Sequence, residues 1–282
     1  MKKKGRGRKV FFLLVLGLAF LLFWARYIST SGLVVNSYII TNPNLSGNWQ
    51  DLRIVHISDI HYGRTVNEAY MRALAAKVST LNPDIVTFTG DLIDNDYKYT
   101  KEEALMLSGV LSGIKAPFGK FAVIGNHDYY NRDYFSIMEA ADFQILVNDY
   151  IILGDEPGRQ LFIGGIANYS YDHLDLTKID HYLKTARGRD YRIFLIHEGD
   201  AVDAILPTCD LDLILGGHSH NGQVRLPFLG AVVKPPFGRK YFDSYYRIGE
   251  TDIYISSGIG TSTINFRFLN KPSINFYLLE SE

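Results

Sequence analysis

The sequence predicts an α/β fold with two β-sheets and covering helices, placed after one apolar N-terminal helix. Between residues 33 and 197, short apolar runs alternate with segments of helical periodicity, which is typical of a sheet covered by helices. After residue 211, four apolar runs are separated by Gly, Pro and Asn, and they predict a second, mostly antiparallel sheet. The N-terminal apolar run precedes both.

That N-terminal run is uncharged from residue 10 to residue 25 and lies between Lys9 and Arg26. As a helix it would span roughly 24 Å of a hydrocarbon core of about 30 Å, with Trp24 and Tyr27 at the interface. We expect residues 10–28 to be a single-pass membrane anchor, with the basic tail of residues 1–9 in the cytoplasm and the remaining chain outside. The alternative is a signal peptide cleaved near residues 29–32.

Composition limits the function classes. The 282 residues include 29 Lys plus Arg, 30 Asp plus Glu and one cysteine, Cys209. The net charge of the whole chain is −1, but six positive charges lie in residues 1–9, so the rest of the chain has a net charge of −7. This acidic character argues against a nucleic-acid partner. One cysteine excludes an intrachain disulfide and a Cys-based metal cluster. Any metal must bind through His, Asp, Glu or Asn. We also expect the protein to be a monomer.

The elements follow in order from Leu33. The runs LVVNSYII and LRIVHIS predict two strands around a turn, and Thr65 with Glu68, like Thr100 with Glu103, predicts a capping box that begins a helix. Strands are expected at DIVTFTG, FAVIG, LFIGGI and RIFLIH, with helices near 132–141 and 175–186. No Pro- or Ser-rich linker follows residue 33, so we expect one domain over residues 33–282.

Five of the apolar strands end in His, Asp or Asn, often beside Gly. Ligands bind at the carboxyl ends of strands in open α/β sheets, so these side chains are expected to converge on one site. Imidazoles, carboxylates and an amide suit divalent Mn, Fe or Zn, and two such ions can hold a hydroxide and clamp a phosphate. The residues are Asp59, His61, Asp91, Asn126, His127, Asp128, His197, His218 and His220.

These residues form five motifs in a fixed order: D-x-H at residues 59–61, GDxxD at 90–94, GNHD at 125–128, the lone His197, and GHxH at 217–220. In this the sequence resembles the calcineurin-like metallophosphoesterases, over roughly residues 50–280. The stretches GHSHNGQVRLPFLG and SSGIGTS further resemble the bacterial membrane-associated branch often called the YkuE-like phosphoesterases. The resemblance implies a two-sheet β-sandwich flanked by helices, in α/β/β/α order.

The resemblance also implies roles for individual residues. Asp59, His61 and His220 would hold one metal ion, while Asn126, His197 and His218 would hold the other, and Asp91 would bridge the two ions. His127 would face the substrate, where it stabilises phosphate charge or protonates the leaving oxygen, and Asp94 would orient it. The protein Ser/Thr phosphatases continue GDxxD with Arg-Gly, whereas Asn95 and Asp96 follow here, which argues against that narrower assignment.

The predicted function is metal-dependent hydrolysis of a phosphomonoester, phosphodiester or pyrophosphate by a metal-bound hydroxide at a dinuclear centre. The membrane anchor favours a membrane or cell-envelope substrate, a lipid-linked one included. The alternative is a non-catalytic, metal-containing envelope protein that binds a phosphate ligand, but the intact ligand set favours the enzyme. His56, His173 and His181 are read as structural, and Asp128 as a loop cap or a site residue. Residues 232–247 are read as a solvated loop in preference to a face toward the substrate or membrane.

Overall fold

The computed structural model of the protein describes residues 3–45, 49–154, 159–186 and 190–281. Within these ranges the helices are α1 (Lys3–Phe23), α2 (Glu68–Thr80), α3 (Lys101–Ser112), α4 (Tyr134–Ala140), α5 (Thr177–Thr185) and α6 (Val202–Ile205). The strands are β1 (Val34–Thr41), β2 (Leu52–Ile57), β3 (Ile85–Phe88), β4 (Lys120–Ala122), β5 (Phe143–Ile145), β6 (Asp149–Leu153), β7 (Leu161–Gly165), β8 (Tyr191–Leu195), β9 (Leu213–Gly216), β10 (Arg225–Leu226), β11 (Gly230–Ala231), β12 (Tyr245–Ile248), β13 (Thr251–Ile255) and β14 (Ser273–Glu280).

The N-terminal helix stands apart from the core. Helix α1 continues into a π-helical segment, Trp24–Ile28, and the 22 residues Gly7–Ile28 are long and apolar enough to cross a membrane. Its large side chains are exposed, whereas Ala25, Ser29 and Thr30 at its C-terminal end are buried against the rest of the chain. This is the N-terminal apolar helix that the sequence predicts.

The first sheet has the strand order β1-β14-β2-β3-β4-β5. Strands β2 to β5 are mutually parallel, while β14 runs parallel to β1 and antiparallel to β2. The two strands expected around a turn after residue 33 are both present, but they do not pair, because β14 lies between them. That pairing joins residues more than 200 positions apart, and no local sequence signal announces it.

The second sheet has the order β12-β13-β9-β8-β7-β6. The prediction of a mostly antiparallel second sheet is wrong, since β13, β9, β8 and β7 are parallel and only the two edge strands are antiparallel. Parallel neighbours need a crossover connection. Between β9 and β13 that crossover is a long loop with a small hairpin, β10–β11, in place of a helix, so the sequence shows turn signals where it joins parallel strands.

Three apolar layers hold the fold together. Side chains such as Ile54, Phe121 and Leu215 pack between the two sheets. Helices α2, α3 and α4 cover the outer face of the first sheet, and α5 and α6 cover that of the second. The predicted α/β/β/α sandwich is therefore confirmed.

The helix starts show how local the capping signal is. Thr100 and Glu103 form the expected capping box of α3. Helix α2 is different: the side chain of Asn67 accepts the Tyr70 N–H and caps the helix, while the Thr65 hydroxyl lies 3.2 Å from that of Thr261. The capping box predicted at Thr65 and Glu68 is wrong, because an Asn closer to the helix takes the cap position.

Candidate metal centre

The carboxyl ends of five parallel strands meet at one edge of the sandwich. Strands β2, β3 and β4 come from the first sheet and β8 and β9 from the second. Each ends a few residues before a predicted site residue, so the two sheets contribute to the same cleft. The side chains that converge there are those of Asp59, His61, Asp91, Asn126, His127, His197, His218 and His220.

One group of side chains is drawn from β2 and β9. His220 Nε2 lies 3.4 Å from Asp59 Oδ1 and 3.1 Å from His61 Nε2. All three side chains are buried. Their ligand atoms lie within 4.8 Å of one another, which is close enough to share one cation.

The second group is drawn from β3, β4, β8 and β9. His197 Nε2 lies 3.3 Å from Asp91 Oδ2 and 3.0 Å from Asn126 Oδ1. Asp91, His197 and His218 also place ligand atoms within 4.8 Å of one another. The structure therefore brings together the second set of residues as well as the first.

Asp91 lies between the two groups. Its Oδ2 atom is 3.5 Å from His61 Nε2 and 3.3 Å from His197 Nε2, so one oxygen faces both sets. Its Oδ1 atom accepts the His127 N–H at 2.8 Å. Gly125 permits this approach, because a Cβ there would lie 2.2 Å from Asp91 Oδ1. The Gly of the GNHD motif is thus required by the position of Asp91.

Backbone carbonyls set the tautomers of two histidines. His197 Nδ1 lies 2.6 Å from the Thr89 carbonyl oxygen, and His218 Nε2 lies 2.8 Å from the Pro236 carbonyl oxygen. A carbonyl only accepts, so each of these nitrogens carries the proton. The lone pairs of His197 Nε2 and His218 Nδ1 remain for a cation, as is usual for metal-binding histidines.

Several candidate ligands have a strained backbone. A positive φ is uncommon outside Gly and costs energy that the surrounding structure must supply. Strain of this kind concentrates at functional sites, and here it is confined among the candidates to those that follow β2, β3 and β9. The values are 53° at Asp59, 45° at His61, 61° at Asp91, 65° at His218 and 48° at His220.

A buried hydrogen-bond relay ends on Asp59. Ser58 Oγ donates to Asp59 Oδ2 at 2.5 Å, Thr89 Oγ1 donates to Ser58 Oγ at 2.7 Å, and His56 Nε2 lies 2.8 Å from Thr89 Oγ1. Burial lowers the pKa of His56 to about 3, so its ring is neutral and donates from Nε2. The structural reading of His56 missed this link, for which the sequence offers only the alternation of β2.

Asp128 ties two of the motif loops together. Its carboxylate accepts the N–H groups of Asp91, Leu92 and Gly125 at 2.6, 2.9 and 3.0 Å. Burial and the nearby Asp91 charge raise the pKa of Asp128 to about 7 despite these hydrogen bonds. Of its two readings, the loop cap is the one that these contacts support.

His127 lies at the mouth of the cleft. Its Nδ1 atom accepts the Asn95 N–H at 3.1 Å, which leaves the proton on Nε2. The predicted partner, Asp94, has its Oδ2 atom 3.9 Å from that nitrogen, beyond hydrogen-bond distance. Asp94 is 2.5 Å from Arg64 Nε. Although burial opposes it, the nearby His61 ring and hydrogen bonds from Arg64 and the Asp96 N–H lower the pKa of Asp94 to about 2.

Arg267 is buried beside the metal centre, although none of the five sequence motifs includes it. Its buried guanidinium donates through Nη2 to the carbonyl oxygens of Ser257 and Gly260 at 2.8 and 2.6 Å. The same nitrogen lies 3.3 Å from His220 Nδ1. Its backbone N–H donates to the Ala25 carbonyl oxygen at 3.0 Å, so one residue contacts both the metal centre and the end of the N-terminal helix.

The residues present fit a divalent cation. Asp59 and Asp91 are carboxylates buried in a cleft lined by imidazole nitrogens, and buried charges require compensation. Burial raises the pKa of Asp59, and a divalent cation held beside it would offset the cost of burying its charge. Nitrogen and oxygen donors in this mixture suit Mn, Fe or Zn.

Comparison with known proteins agrees with this geometry. The calcineurin-like phosphoesterase family model matches residues 52–222. The metallophosphoesterase YkuE of Bacillus subtilis is 33% identical over 265 residues, 92% of this chain and 89% of that protein. The UDP-2,3-diacylglucosamine pyrophosphatase LpxG of Chlamydia muridarum is 25% identical, over 89% of this chain and 90% of that protein.

Among solved structures, the NAD nucleotidase of Haemophilus influenzae superposes with a TM-score of 0.51 at 16% identity, covering 74% of this chain and 45% of that one. This likeness concerns the fold alone. The family match covers the motif-bearing strands, and that match places the chain in a defined class of hydrolase. The chain belongs to the calcineurin-like phosphoesterase family.

Proposed function

We propose that this phosphoester hydrolase works with two divalent cations, and that Asp91 is shared between them. The observation that supports the proposal is the position of Asp91 Oδ2, 3.5 Å from His61 Nε2 on one side and 3.3 Å from His197 Nε2 on the other. A carboxylate in this position can join two cations about 3.5–4 Å apart.

The two cation sites divide the remaining ligands. Asp59, His61 and His220 would complete one site, and the second would be completed by the residues on the far side of Asp91, namely Asn126, His197 and His218. Bound cations would polarise the phosphoryl group and acidify the attacking water. The protein holds their ligands in place through the carbonyls of Thr89 and Pro236 and through the relay to Asp59.

His127 acts on the substrate in this proposal. Its Nδ1 atom accepts the Asn95 N–H, so Nε2–H is the free donor and lies at the mouth of the cleft. A hydrogen bond from Nε2–H to a phosphoryl oxygen would stabilise the charge that develops in the transition state. Asp94 contributes by fixing Arg64 and by its charge 3.9 Å from the His127 ring.

The proposed location is the membrane. Helix α1 with its π-helical end would span the bilayer, and the positive charges of residues 1–9 would keep the N-terminus in the cytoplasm and the metal centre outside. The substrate would then be a membrane or cell-envelope phosphoester, and the pyrophosphatase named among the relatives supports keeping pyrophosphates among the candidates. All proposed ligands come from one chain, which is consistent with a monomer.

The experiment uses the full chain in detergent with 4-nitrophenyl phosphate and bis(4-nitrophenyl) phosphate. Hydrolysis of at least one ester should disappear after chelation and return on addition of Mn, Fe or Zn. Full hydrolysis after thorough chelation would contradict the proposal. Protease added to intact cells without an outer barrier should digest residues 33–282, and protection would show that the proposed orientation is wrong.

A further inference from the structure

An exposed apolar surface borders the metal centre. Hairpin β10–β11 projects from the end of the second sheet, and its tip carries Phe228, with a fully exposed side chain, and Leu229, which is 79% exposed. Phe228 has a φ of 66°, so an apolar side chain is held outward at a strained position. Nearby apolar side chains are also exposed. We call this surface the apolar rim, and its members are Leu226, Phe228, Leu229, Val232, Val233, Ile264 and Leu269.

The apolar rim is continuous with the end of the N-terminal helix. The Arg267 N–H donates to the Ala25 carbonyl oxygen at 3.0 Å, and the next residue, Phe268, accepts the Arg225 N–H at 2.9 Å. Arg225 belongs to β10 and pairs with Ala231 of β11. Two hydrogen bonds therefore connect the end of the helix to the hairpin, so a bilayer around that helix would lie beside the rim.

The apolar rim also opens into the metal centre. A cavity of about 410 Å³ extends between the hairpin and the segment around Ile264. The exposed Val232, Val233 and Ile264 line one part of the cavity, and the buried Asp91 and the half-buried His127 and His218 line the part at the metal centre. An amphiphile would fit this cavity with its phosphate at the metal centre and its hydrocarbon chain against the apolar side chains.

We propose that the apolar rim inserts into the bilayer that holds the N-terminal helix, and that the cavity takes the phosphate end of a lipid from that bilayer while its hydrocarbon tail lies along Val232, Val233 and Ile264. This inference rests on the proposed function and narrows its substrate class to lipid-borne phosphoesters. Large apolar patches on water-exposed surfaces are rare. This one lies between the end of the apolar helix and the metal centre, where an enzyme that hydrolyses a membrane lipid would need it.

The first test measures insertion without reference to activity. The full chain with Cys209→Ala receives one new cysteine, Leu229→Cys or, as a control, Leu105→Cys on helix α3, where the leucine is 73% exposed. Each is labelled with an environment-sensitive fluorophore and reconstituted in phosphatidylcholine vesicles whose acyl chains carry bromine. The label at residue 229 should be strongly quenched and the label at residue 105 should not. Equal, weak quenching at both positions would overturn the insertion.

The second test compares two diesters with the same leaving group, hexadecyl 4-nitrophenyl phosphate in vesicles and ethyl 4-nitrophenyl phosphate in solution. We expect kcat/KM to favour the hexadecyl ester by about tenfold or more, since burying each methylene contributes to binding. Phe228→Asp should reduce that preference severalfold, and Leu105→Asp should leave it unchanged. A wild-type ratio near one would overturn the inference while leaving the proposed function intact. Failure to hydrolyse either diester, together with failure to hydrolyse 4-nitrophenyl phosphate, would count against the proposed function, and the quenching result alone would then decide whether the rim inserts.

Discussion

The metal centre and the apolar rim lie side by side at one edge of the sandwich and invert the usual distribution of residues. The metal centre buries carboxylates and imidazoles, among them Asp59 and Asp91, whereas the rim exposes Phe228 and Leu229. Charged side chains are rarely buried without a partner, and exposed apolar patches of this kind mark interaction sites. Each region therefore suits a component that water does not provide: a divalent cation in the first and a hydrocarbon surface in the second.

The two regions also differ in how firmly they are held. Side-chain and backbone hydrogen bonds fix the candidate ligands, as the carbonyl of Thr89 does for His197 and the relay through Ser58 does for Asp59. The most exposed part of the rim, at Phe228 and Leu229, lies on a two-stranded hairpin with two residues in each strand. Metal-dependent chemistry requires precisely placed ligands, whereas the proposed contact with the membrane requires only exposed apolar area. Substitutions in the metal centre should accordingly impair metal binding and hydrolysis, whereas substitutions in the rim should impair membrane contact and the preference for long-chain esters.

The largest effect is expected from Asp91→Asn. The amide lacks the negative charge that the two proposed cations would share, so hydrolysis should fall by about 10³-fold or more and bound metal should decrease. Asp96→Asn is the matched control, since Asp96 lies in the same loop but is exposed and bonds only to Arg64 among the side chains described. Turnover of a 4-nitrophenyl ester and elemental analysis measure both quantities. A fully active Asp91→Asn variant would show that the shared ligand is misassigned.

A smaller loss is expected from His127→Ala. The variant should keep its metals and lose about 10²- to 10³-fold in rate, because a donor to the transition state is removed. Since the Asn95 N–H occupies Nδ1, we expect Nε2–H to act by hydrogen bonding, so that the loss is the same across aryl phosphates of different leaving-group pKa. His173→Ala, at an exposed position, is the control. A loss that shrinks for acidic leaving groups would instead identify His127 as the proton donor.

The relay to Asp59 should have a more modest effect. Thr89→Val removes the hydroxyl that joins His56 to Ser58, and loss of such a supporting hydrogen bond typically weakens metal affinity by about 10- to 100-fold. Thr87→Val is a close control, because the buried Thr87 hydroxyl has no hydrogen-bond partner in the described part of the chain. Metal affinity from competition with a chelator distinguishes the two variants. Equal affinities would show that the relay has no role in metal binding.

Much of this picture could be predicted from local sequence. The residues that follow β2, β3, β4, β8 and β9 converge because parallel strands align their carboxyl ends, and that rule needs only the order of elements. Asp94 shows the limit: its motif position suggested His127 as partner, but Arg64, thirty positions earlier, lies closer. Whether Asp94 pairs with His127 or with Arg64 depends on side-chain packing, which the motif does not specify.

Contacts between distant segments account for what the sequence did not show. Arg267 contacts His220 and the Gly260 carbonyl because residues 257–267 fold back on themselves. A single Arg among aromatic residues does not predict this contact. The sequence predicts a solvated loop at residues 232–247. Val232 and Val233 are exposed, and they also line the cavity beside the metal centre, because the Val232 N–H donates to the Val224 carbonyl oxygen and Val224 bridges to Phe268.

The most direct test of the central claim is a metal titration of the full chain after chelation. Apoprotein is refilled stepwise with Mn, Fe or Zn while bound metal and hydrolysis of the preferred 4-nitrophenyl ester are measured in the same samples. If Asp91 joins two cations, activity should reach its plateau only when two equivalents are bound per chain. A plateau at one equivalent, or full activity in the metal-free protein, would contradict the dinuclear centre.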